Sequence, residues 1–158
     1  MIVREAVALA PYTSLGVGGR ARFFVEARSL EELREASVLA REQGLPLRVL
    51  GSGTNILISD AGIEAVVVKL VDGTYTFETG LEGSTLLTGA AGASWDALVD
   101  AAALRGLWGI ENLAGIPGSA IPGLISVKRL HFHSPCRMKL AQKYGSAVLF
   151  CFHMLICA

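Results

Sequence analysis

A strand, a helix and a second strand follow one another over residues 21–50, and this pattern limits the possible folds more than any other feature. The apolar segments 21–27 and 47–50 predict the two strands. Between them, Ser29 and Glu32 have the spacing of a capping box, in which the serine side chain accepts a hydrogen bond from the first helical turn. Because two strands joined by a helix form a βαβ unit, we predict a sheet with a helix packed against it.

The helix of this unit is predicted from residues that recur at helical spacing, namely Leu30, Leu33, Ser37 and Ala40. Gly44 and Pro46 predict its end, because glycine commonly ends a helix and proline cannot continue one. Residues 65–70 form a third predicted strand, which is apolar enough to be central in the sheet.

The following residues predict a second, smaller layer of strands and a helix. The Asp-Gly pair at 72–73 marks a turn, and segments 74–78 and 84–88 predict two strands joined through glycines. Ser94 is the predicted cap of a second helix, which ends at the Arg-Gly pair 105–106. One face of this helix is predicted to contain Trp95, Leu98, Val99, Ala102 and Ala103.

These elements predict the α+β class with two subdomains. Residues 1–70 form the first subdomain and residues 71–118 the start of the second. The hydrophobic content of 52% is sufficient for a buried core. Residues 119–158 lack a capping signal and a clear period: 121–123 predict a turn, and 150–156 fit either a strand or a short helix.

Charge and composition change abruptly after residue 118. All 14 acidic residues precede residue 119, whereas residues 119–158 contain five basic residues and no acid. The net charge of zero is therefore the sum of two unlike segments and does not indicate a partner. The late segment also contains every histidine and cysteine of the chain: His131, His133, Cys136, Cys151, His153 and Cys157. Their spacing matches no standard zinc arrangement, so we predict no metal site, with a metal-binding cluster as the lesser alternative.

The chain shows no sequence signal for export or for membrane insertion. Arg4 and Glu5 stand where a signal peptide needs an apolar segment, and the longest apolar run, 147–152, is too short to span a bilayer. We expect a cytoplasmic location, no membrane partner and no nucleic-acid partner. The sequence does not indicate an oligomeric state.

The segment Gly51 to Leu57, which reads Gly-Ser-Gly-Thr-Asn-Ile-Leu, directly follows the predicted strand at 47–50. Glycine lets a backbone approach a ligand closely, and successive N–H groups in such a turn form a concave site for phosphate. A P-loop is excluded because no lysine lies near these glycines in sequence, and a dinucleotide fingerprint is excluded because Ile56 stands where a third glycine is required. A tight turn between strands remains the alternative to a phosphate-binding loop.

Four segments together resemble the UDP-N-acetylenolpyruvoylglucosamine reductase family, also called UDP-N-acetylmuramate dehydrogenase. They are Tyr12–Gly19, Val49–Leu57, Ala91–Trp95 and Gly109–Gly118. Each segment alone is a weak signal, but their order and spacing agree with the family. The resemblance covers roughly residues 10–118.

This resemblance implies the two-subdomain FAD-binding module of the family, truncated in this chain. The glycine loop would hold the FAD pyrophosphate through main-chain N–H groups, without a buried lysine, and residues 116–118 would run beside the flavin. The implied cofactor-binding residues are Leu50, Gly51, Ser52, Gly53, Thr54, Asn55, Ile56, Ile116, Pro117 and Gly118. For Trp95 and Trp108, core packing is favoured over flavin stacking.

The activity implied by the resemblance is an FAD-dependent reduction of UDP-N-acetylglucosamine enolpyruvate to UDP-N-acetylmuramate, with NADPH as co-substrate, in peptidoglycan precursor synthesis. This reaction needs a general acid and a cationic group that stabilises the developing enolate. In the family these groups belong to later segments, which begin with a Gln-Asn-x-Gly-Ala-Tyr-Gly-like motif that this sequence lacks. We therefore assign no catalytic residue, and we interpret Arg105 and Glu111 as structural.

Two interpretations follow for the chain as a whole. The first is a flavoprotein reductase represented by its FAD-binding part, and the alternative is a fragment that binds FAD or another nucleotide and catalyses nothing. Because the motifs end where the charge changes, we also hypothesise that the residues after about 118–120 are out-of-frame or foreign sequence joined to a truncated reductase gene.

Overall fold

The structure, a computed structural model, describes residues 1–80, 84–119, 123–129 and 155–157. The chain divides into two compact units, the first built on Met1–Asp72 and the second beginning at Gly73. The described part of each unit contains strands and one α-helix, so the predicted α+β class is confirmed.

The first unit is built on a four-stranded sheet with the order β1-β2-β5-β3. Its strands are β1 (Val3–Ala8), β2 (Arg20–Ala27), β3 (Leu47–Leu50) and β5 (Ile63–Leu70), whereas the short β4 (Ile56–Ile58) lies outside this sheet. Strand β5 is parallel to both β2 and β3, and β1 is antiparallel to β2. The strands predicted over 21–27, 47–50 and 65–70 are confirmed, and the third is central as predicted.

Helix α1 (Leu30–Glu42) joins β2 to β3 and begins at the predicted cap. Ser29 Oγ accepts a hydrogen bond from the Glu32 N–H at 3.2 Å. The Glu32 carboxylate accepts one from the Arg28 N–H at 2.7 Å, one residue before the position that a capping box uses. Leu30, one of the residues at helical spacing, is 60% exposed. The residues of α1 that pack against the sheet are Leu33, Ala36, Leu39 and Ala40.

The sheet of the first unit packs side chains on both faces. The face towards α1 contains Phe23, Val25, Val66 and Val68. The opposite face contains Leu9, Phe24, Leu50, Ile58 and Val67. Leu50 ends β3 and Ile58 ends β4, so the two strands that flank residues 51–55 are fixed in one core.

The second unit contains a four-stranded sheet with the order β6-β7-β9-β8, in which every neighbouring pair is antiparallel. Its strands are β6 (Tyr75–Thr79), β7 (Ser84–Gly89), β8 (Leu107–Trp108) and β9 (Gly123–Arg129). Helix α2 (Trp95–Ala103) begins at Ser94, whose Oγ accepts a hydrogen bond from the Ala97 N–H at 3.4 Å. The strands predicted at 74–78 and 84–88 and the serine cap are confirmed.

The core of the second unit consists of Leu87, Ala93, Leu98, Val99, Ala102, Leu107 and Ile110. Trp95 packs partly buried against it, as the predicted helix face requires. The prediction is wrong at Ala103, which is exposed, whereas Ala101 is buried. Because each helical residue turns by about 100°, Ala103 points well away from Leu98 while Ala101 and Ala102 stay near its side.

Several elements were not predicted from the sequence. Strands β1, β4 and β8 are short or exposed, and β9 (Gly123–Arg129) lies in a part of the late segment for which no strand was predicted. Within the predicted strand or short helix at 150–156, the described residues belong to strand β10 (Leu155–Cys157), which pairs in parallel with β4. The predicted turn at 121–123 falls mostly outside the described residues. Among the helices that the structure describes, none is long and apolar enough to cross a membrane.

Candidate functional site

The glycine loop, residues Gly51–Asn55, lies at the carboxyl end of the parallel part of the first sheet. It leaves β3 after Leu50, which is buried, and enters β4 at Ile56. Strand β5 runs beside β3 in the same direction and ends in register with it, so that Lys69 stands opposite Leu50. Carboxyl ends of parallel strands are the usual position of ligand sites in such sheets.

The peptide carbonyls of this loop are held from behind by other parts of the unit. Lys69 Nζ donates a hydrogen bond to the Gly51 carbonyl oxygen at 3.1 Å. The Gly53 carbonyl oxygen accepts two hydrogen bonds from Ser14, one from its N–H and one from its hydroxyl, both at 3.0 Å. In a trans peptide the C=O and the following N–H point in opposite directions. The N–H groups of Ser52 and Thr54 are therefore turned away from these anchors.

Gly53 permits the closest backbone approach in this loop. Its φ is +73°, in the left-handed region, and a Cβ at this position would overlap the Tyr12 carbonyl oxygen. The loop thus rests directly on the backbone of residues 12–14, which belong to another of the four resembling segments. Two segments that are distant in sequence meet because only glycine leaves room for the contact.

The segment Tyr12–Gly19 is itself fixed at both ends. Thr13 is buried, and its hydroxyl donates to the Val17 carbonyl at 2.8 Å. The Gly19 N–H donates to the Ser59 carbonyl at 2.9 Å, just after β4. This segment therefore contacts the chain both within the glycine loop and after the strand that follows it.

Two cations lie beside Tyr12, and one of them, Lys69, also contacts the glycine loop. Lys69 Nζ lies 5.6 Å from the centre of the Tyr12 ring, and Arg4 donates to the Tyr12 hydroxyl at 3.3 Å. This hydrogen bond raises the pKa of the Arg4 guanidinium above its usual range. Glu26, which stands beside Lys69 in the strand register, forms an ion pair with Arg4 at 2.7 Å. The Glu26 carboxylate is thus paired with Arg4.

Lys69 was missed by the sequence analysis, which considered lysines near the glycines in sequence only. The parallel register of β3 with β5 was the signal that could have indicated this lysine. Leu50 is the last residue of β3 and Lys69 the next-to-last residue of β5, so the two lie side by side. The lysine contacts the carbonyl side of the loop, so the exclusion of a P-loop is unaffected.

The front of the glycine loop presents polar groups to solvent. Ser52, Thr54 and Asn55 are exposed, and the hydroxyls of Ser52 and Thr54 lie 3.3 Å apart. Within the described part of the chain, the Ser52 N–H donates to no other group. Outward N–H groups, hydroxyls and an amide with a lysine behind them fit a phosphate-bearing ligand.

In the second unit, residues 113–118 are fixed to the start of α2. Trp95 Nε1 donates to the Leu113 carbonyl at 2.9 Å, and the Trp95 N–H donates to the Gly118 carbonyl at 3.1 Å. Asp96 accepts a hydrogen bond from the Gly115 N–H at 2.9 Å. Between these anchors Ile116 is 46% exposed. The predicted residues Ile116, Pro117 and Gly118 thus form one surface segment of the second unit.

The other residues considered in the sequence analysis make contacts inside the second unit. Arg105 donates to the Ala101 carbonyl at 3.1 Å and lies over the Phe77 ring at 4.2 Å. Glu111 accepts a hydrogen bond from the Gly109 N–H. The Trp108 Nε1 is buried and has no hydrogen-bond partner in the described ranges.

Metal ligands do not cluster in the part of the chain that the structure describes: residues 1–80 and 84–119 contain no group of three or more His, Cys, Asp or Glu side chains that could hold an ion. His131, His133, Cys136, Cys151 and His153 lie outside the described residues, and Cys157 is described only as part of strand β10.

The first unit is a βαβ-containing α+β unit with an anchored glycine loop, a geometry that suits a phosphate-bearing ligand. A family model described as an FAD binding domain matches residues 21–131, and the chain belongs to this family. The match extends beyond residue 118 and includes strand β9.

The relatives specify the resemblance further. The chain is 39% identical over 117 residues to the UDP-N-acetylenolpyruvoylglucosamine reductase of Pseudomonas aeruginosa, covering 74% of this chain and 34% of that protein. It is 41% identical over 118 residues to the reductase of the same name from Solibacter usitatus, covering 75% and 36%. The chain thus spans about a third of the length of these relatives, and the predicted resemblance is confirmed.

A solved structure agrees with this assignment. The crystal structure of UDP-N-acetylenolpyruvylglucosamine reductase from Thermus caldophilus is 40% identical, with a TM-score of 0.55. The alignment covers 75% of this chain and 40% of that one.

Proposed function

We propose that this chain is the FAD-binding part of a UDP-N-acetylenolpyruvoylglucosamine reductase. The observation that carries the proposal is the anchored glycine loop, whose carbonyls are held from behind by Lys69 and Ser14. In a member of the FAD binding domain family, this orientation presents the Ser52 N–H to a ligand phosphate. Main-chain donors bind phosphate without requiring a side-chain cation in the same place.

The proposed cofactor-binding residues come from both units. In the first unit, assigned as the first FAD-binding subdomain over residues 1–70, they are Leu50, Gly51, Ser52, Gly53, Thr54, Asn55 and Ile56. In the second, assigned as the start of the second subdomain over residues 71–118, they are Ile116, Pro117 and Gly118. The glycine loop would hold the pyrophosphate. The exposure of Ile116 supports the assignment of its segment to the flavin.

The proposed activity of the whole enzyme is the reduction of UDP-N-acetylglucosamine enolpyruvate to UDP-N-acetylmuramate in the cytoplasm, with NADPH as the reductant. The names of the relatives support this substrate. When bound, the flavin would carry hydride from the nicotinamide to the enolpyruvyl double bond. The residues of this chain would bind and orient the cofactor, and none of them is assigned a proton-transfer role.

A second candidate is FAD binding without turnover. It is favoured by the lack of a Gln-Asn-x-Gly-Ala-Tyr-Gly-like motif in the sequence. The proposal of a divergent tail belongs with this candidate. The family match to residue 131 and the pairing of β9 with β7 support a start of the tail beyond Arg129.

Absorbance and titration of the purified full chain test the proposal. We expect flavin bands after reconstitution with FAD, and quenching of FAD fluorescence that saturates. We expect Ser52→Glu to weaken FAD binding at least about tenfold, because it places a carboxylate against the pyrophosphate. Gln43→Glu adds the same charge at the exposed end of α1 and serves as the control.

The two candidates differ in one further measurement. Oxidation of NADPH upon addition of UDP-N-acetylglucosamine enolpyruvate supports the reductase, whereas FAD binding without oxidation supports the second candidate. A chain that folds but does not bind FAD, or equal affinities of the two glutamate variants, would contradict the proposed site.

A further inference from the structure

Lys69 is placed by its strand register and by two side-chain contacts. It stands at the carboxyl end of β5, in register with Leu50 on one side and Glu26 on the other. Its ammonium group donates to the Gly51 carbonyl at 3.1 Å and lies 5.6 Å from the centre of the Tyr12 ring. The lysine is partly buried, so its position is more restricted than that of a surface lysine.

The contact with Gly51 determines the direction of one particular donor. The Gly51 carbonyl belongs to the peptide bond whose N–H is that of Ser52, and the two groups point in opposite directions. A cation on the carbonyl also polarises this peptide, which strengthens the N–H as a donor. Hydrogen bonds from an ionised donor are roughly twice as strong as neutral ones. Lys69 thus acts on the front of the loop from behind it.

We propose that Lys69 is a positioning residue, which holds the Gly51–Ser52 peptide so that its N–H faces the phosphate of the ligand. This inference rests on the proposed FAD site. Its consequence is selectivity: the lysine favours flavins that bear a pyrophosphate over riboflavin, although it does not touch the ligand. Neither the strand register nor the core requires this side chain to be charged, because its neighbours on the same face include Val67 and Leu50.

The test measures the dissociation constants of the full chain for FAD and for riboflavin by flavin fluorescence. We expect Lys69→Met to weaken FAD binding roughly tenfold, the loss of one charge-assisted anchor, and to leave riboflavin binding within about twofold. Lys69→Arg keeps a donor and is expected to restore FAD binding to within about threefold of the original. Arg48→Met removes one charge from the exposed part of β3 and is expected to change neither constant by more than about twofold.

A second measurement detects positioning without a ligand. In amide NMR spectra of the free chain, Lys69→Met is expected to shift the Ser52 N–H signal more than the signals of α1. A merely structural loss would shift signals throughout the unit and lower the thermal midpoint.

The outcomes separate the two proposals. Suppose that the original chain binds FAD. If Lys69→Met then weakens the binding of FAD and of riboflavin equally, or changes neither dissociation constant, the positioning role is wrong while the FAD site stands. If the folded original chain does not bind FAD, both are wrong.

Discussion

The glycine loop at 51–55 and the segment 113–118 each contain one glycine with a positive φ, yet the two segments are held by different kinds of hydrogen bond. In the glycine loop, the anchored groups are the carbonyls of Gly51 and Gly53. In the second segment the anchors alternate: the carbonyls of Leu113 and Gly118 accept hydrogen bonds, but the Gly115 N–H donates to Asp96.

This difference supports the proposal that the glycine loop, rather than the second segment, binds the phosphate groups. The glycine loop directs its anchored carbonyls inwards and keeps the Ser52 N–H outwards. In the second segment the Gly115 N–H donates to the Asp96 carboxylate, so this N–H is not available to a ligand. The glycines differ as well: Gly53 has no room for a Cβ, whereas nothing lies within 4 Å of a Cβ built on Gly115.

The largest expected effect is that of Gly53→Ala. A Cβ would overlap the Tyr12 carbonyl oxygen, and the backbone has a φ of +73°. We expect the free energy of unfolding to fall by about 3 kcal/mol or more, since the left-handed penalty of about 1–2 kcal/mol is added to a displaced backbone. Chemical denaturation measures the loss. Gly16→Ala, with a φ of +66° and nothing within 4 Å, is the control. Equal losses in the two variants would refute the argument from close approach.

Trp95→Phe is expected to have the next largest effect. It keeps an aromatic ring against the core but leaves the Leu113 carbonyl without its donor. The expected loss is about 1.5 kcal/mol, from one hydrogen bond and a smaller ring. Hydrogen exchange should accelerate at residues 113–118 and stay unchanged in α1. Faster exchange in both residues 113–118 and α1 would show that the Trp95 hydrogen bond does not act on residues 113–118 alone.

Gly115→Ala tests the second segment directly. Its φ of +77° disfavours alanine, but no atom obstructs the new methyl group. We expect a loss of about 1 kcal/mol in the free energy of unfolding, from backbone strain alone. Thermal unfolding of this variant and of Gly53→Ala, measured under the same conditions, separates the effect of backbone strain from that of steric overlap. A loss as large as that of Gly53→Ala would mean that the two segments do not differ as described.

The smallest effect is expected for Ser14→Ala. The hydroxyl bond to the Gly53 carbonyl is lost, but the Ser14 N–H still donates to the same oxygen. A loss of about 0.5–1 kcal/mol in stability follows, together with a change in FAD affinity of about threefold or less. Ser52→Ala, at an exposed position, is the control for stability. A loss of FAD binding tenfold or greater would show that the hydroxyl, rather than the backbone, sets the loop.

Local signals predicted the regular elements well where they were self-contained. Ser29 and Ser94 cap the helices they were predicted to cap, because a serine oxygen satisfies an N–H group three residues away without help from the rest of the fold. The apolar run at 65–70 was predicted as a central strand because burial on both faces removes the alternation of polar residues.

Elements that depend on distant partners were not predicted. Strand β1 is mostly exposed and exists through its pairing with β2, and β9 exists through its pairing with β7 and β8. Leu30 and Ala103 were grouped with apolar residues of their helices from spacing alone, but both are exposed, because the side of a helix that is buried depends on where the sheet lies.

The sequence alone determined the α+β class, the capped helices and the place of the glycine loop after β3. It did so because capping, periodicity and glycine content act over a few residues. Only the tertiary structure decided what holds that loop. Ser14 and Lys69 lie 39 and 18 residues from the glycines whose carbonyls they contact, and parallel strand pairing together with the space left by Gly53 brings them there.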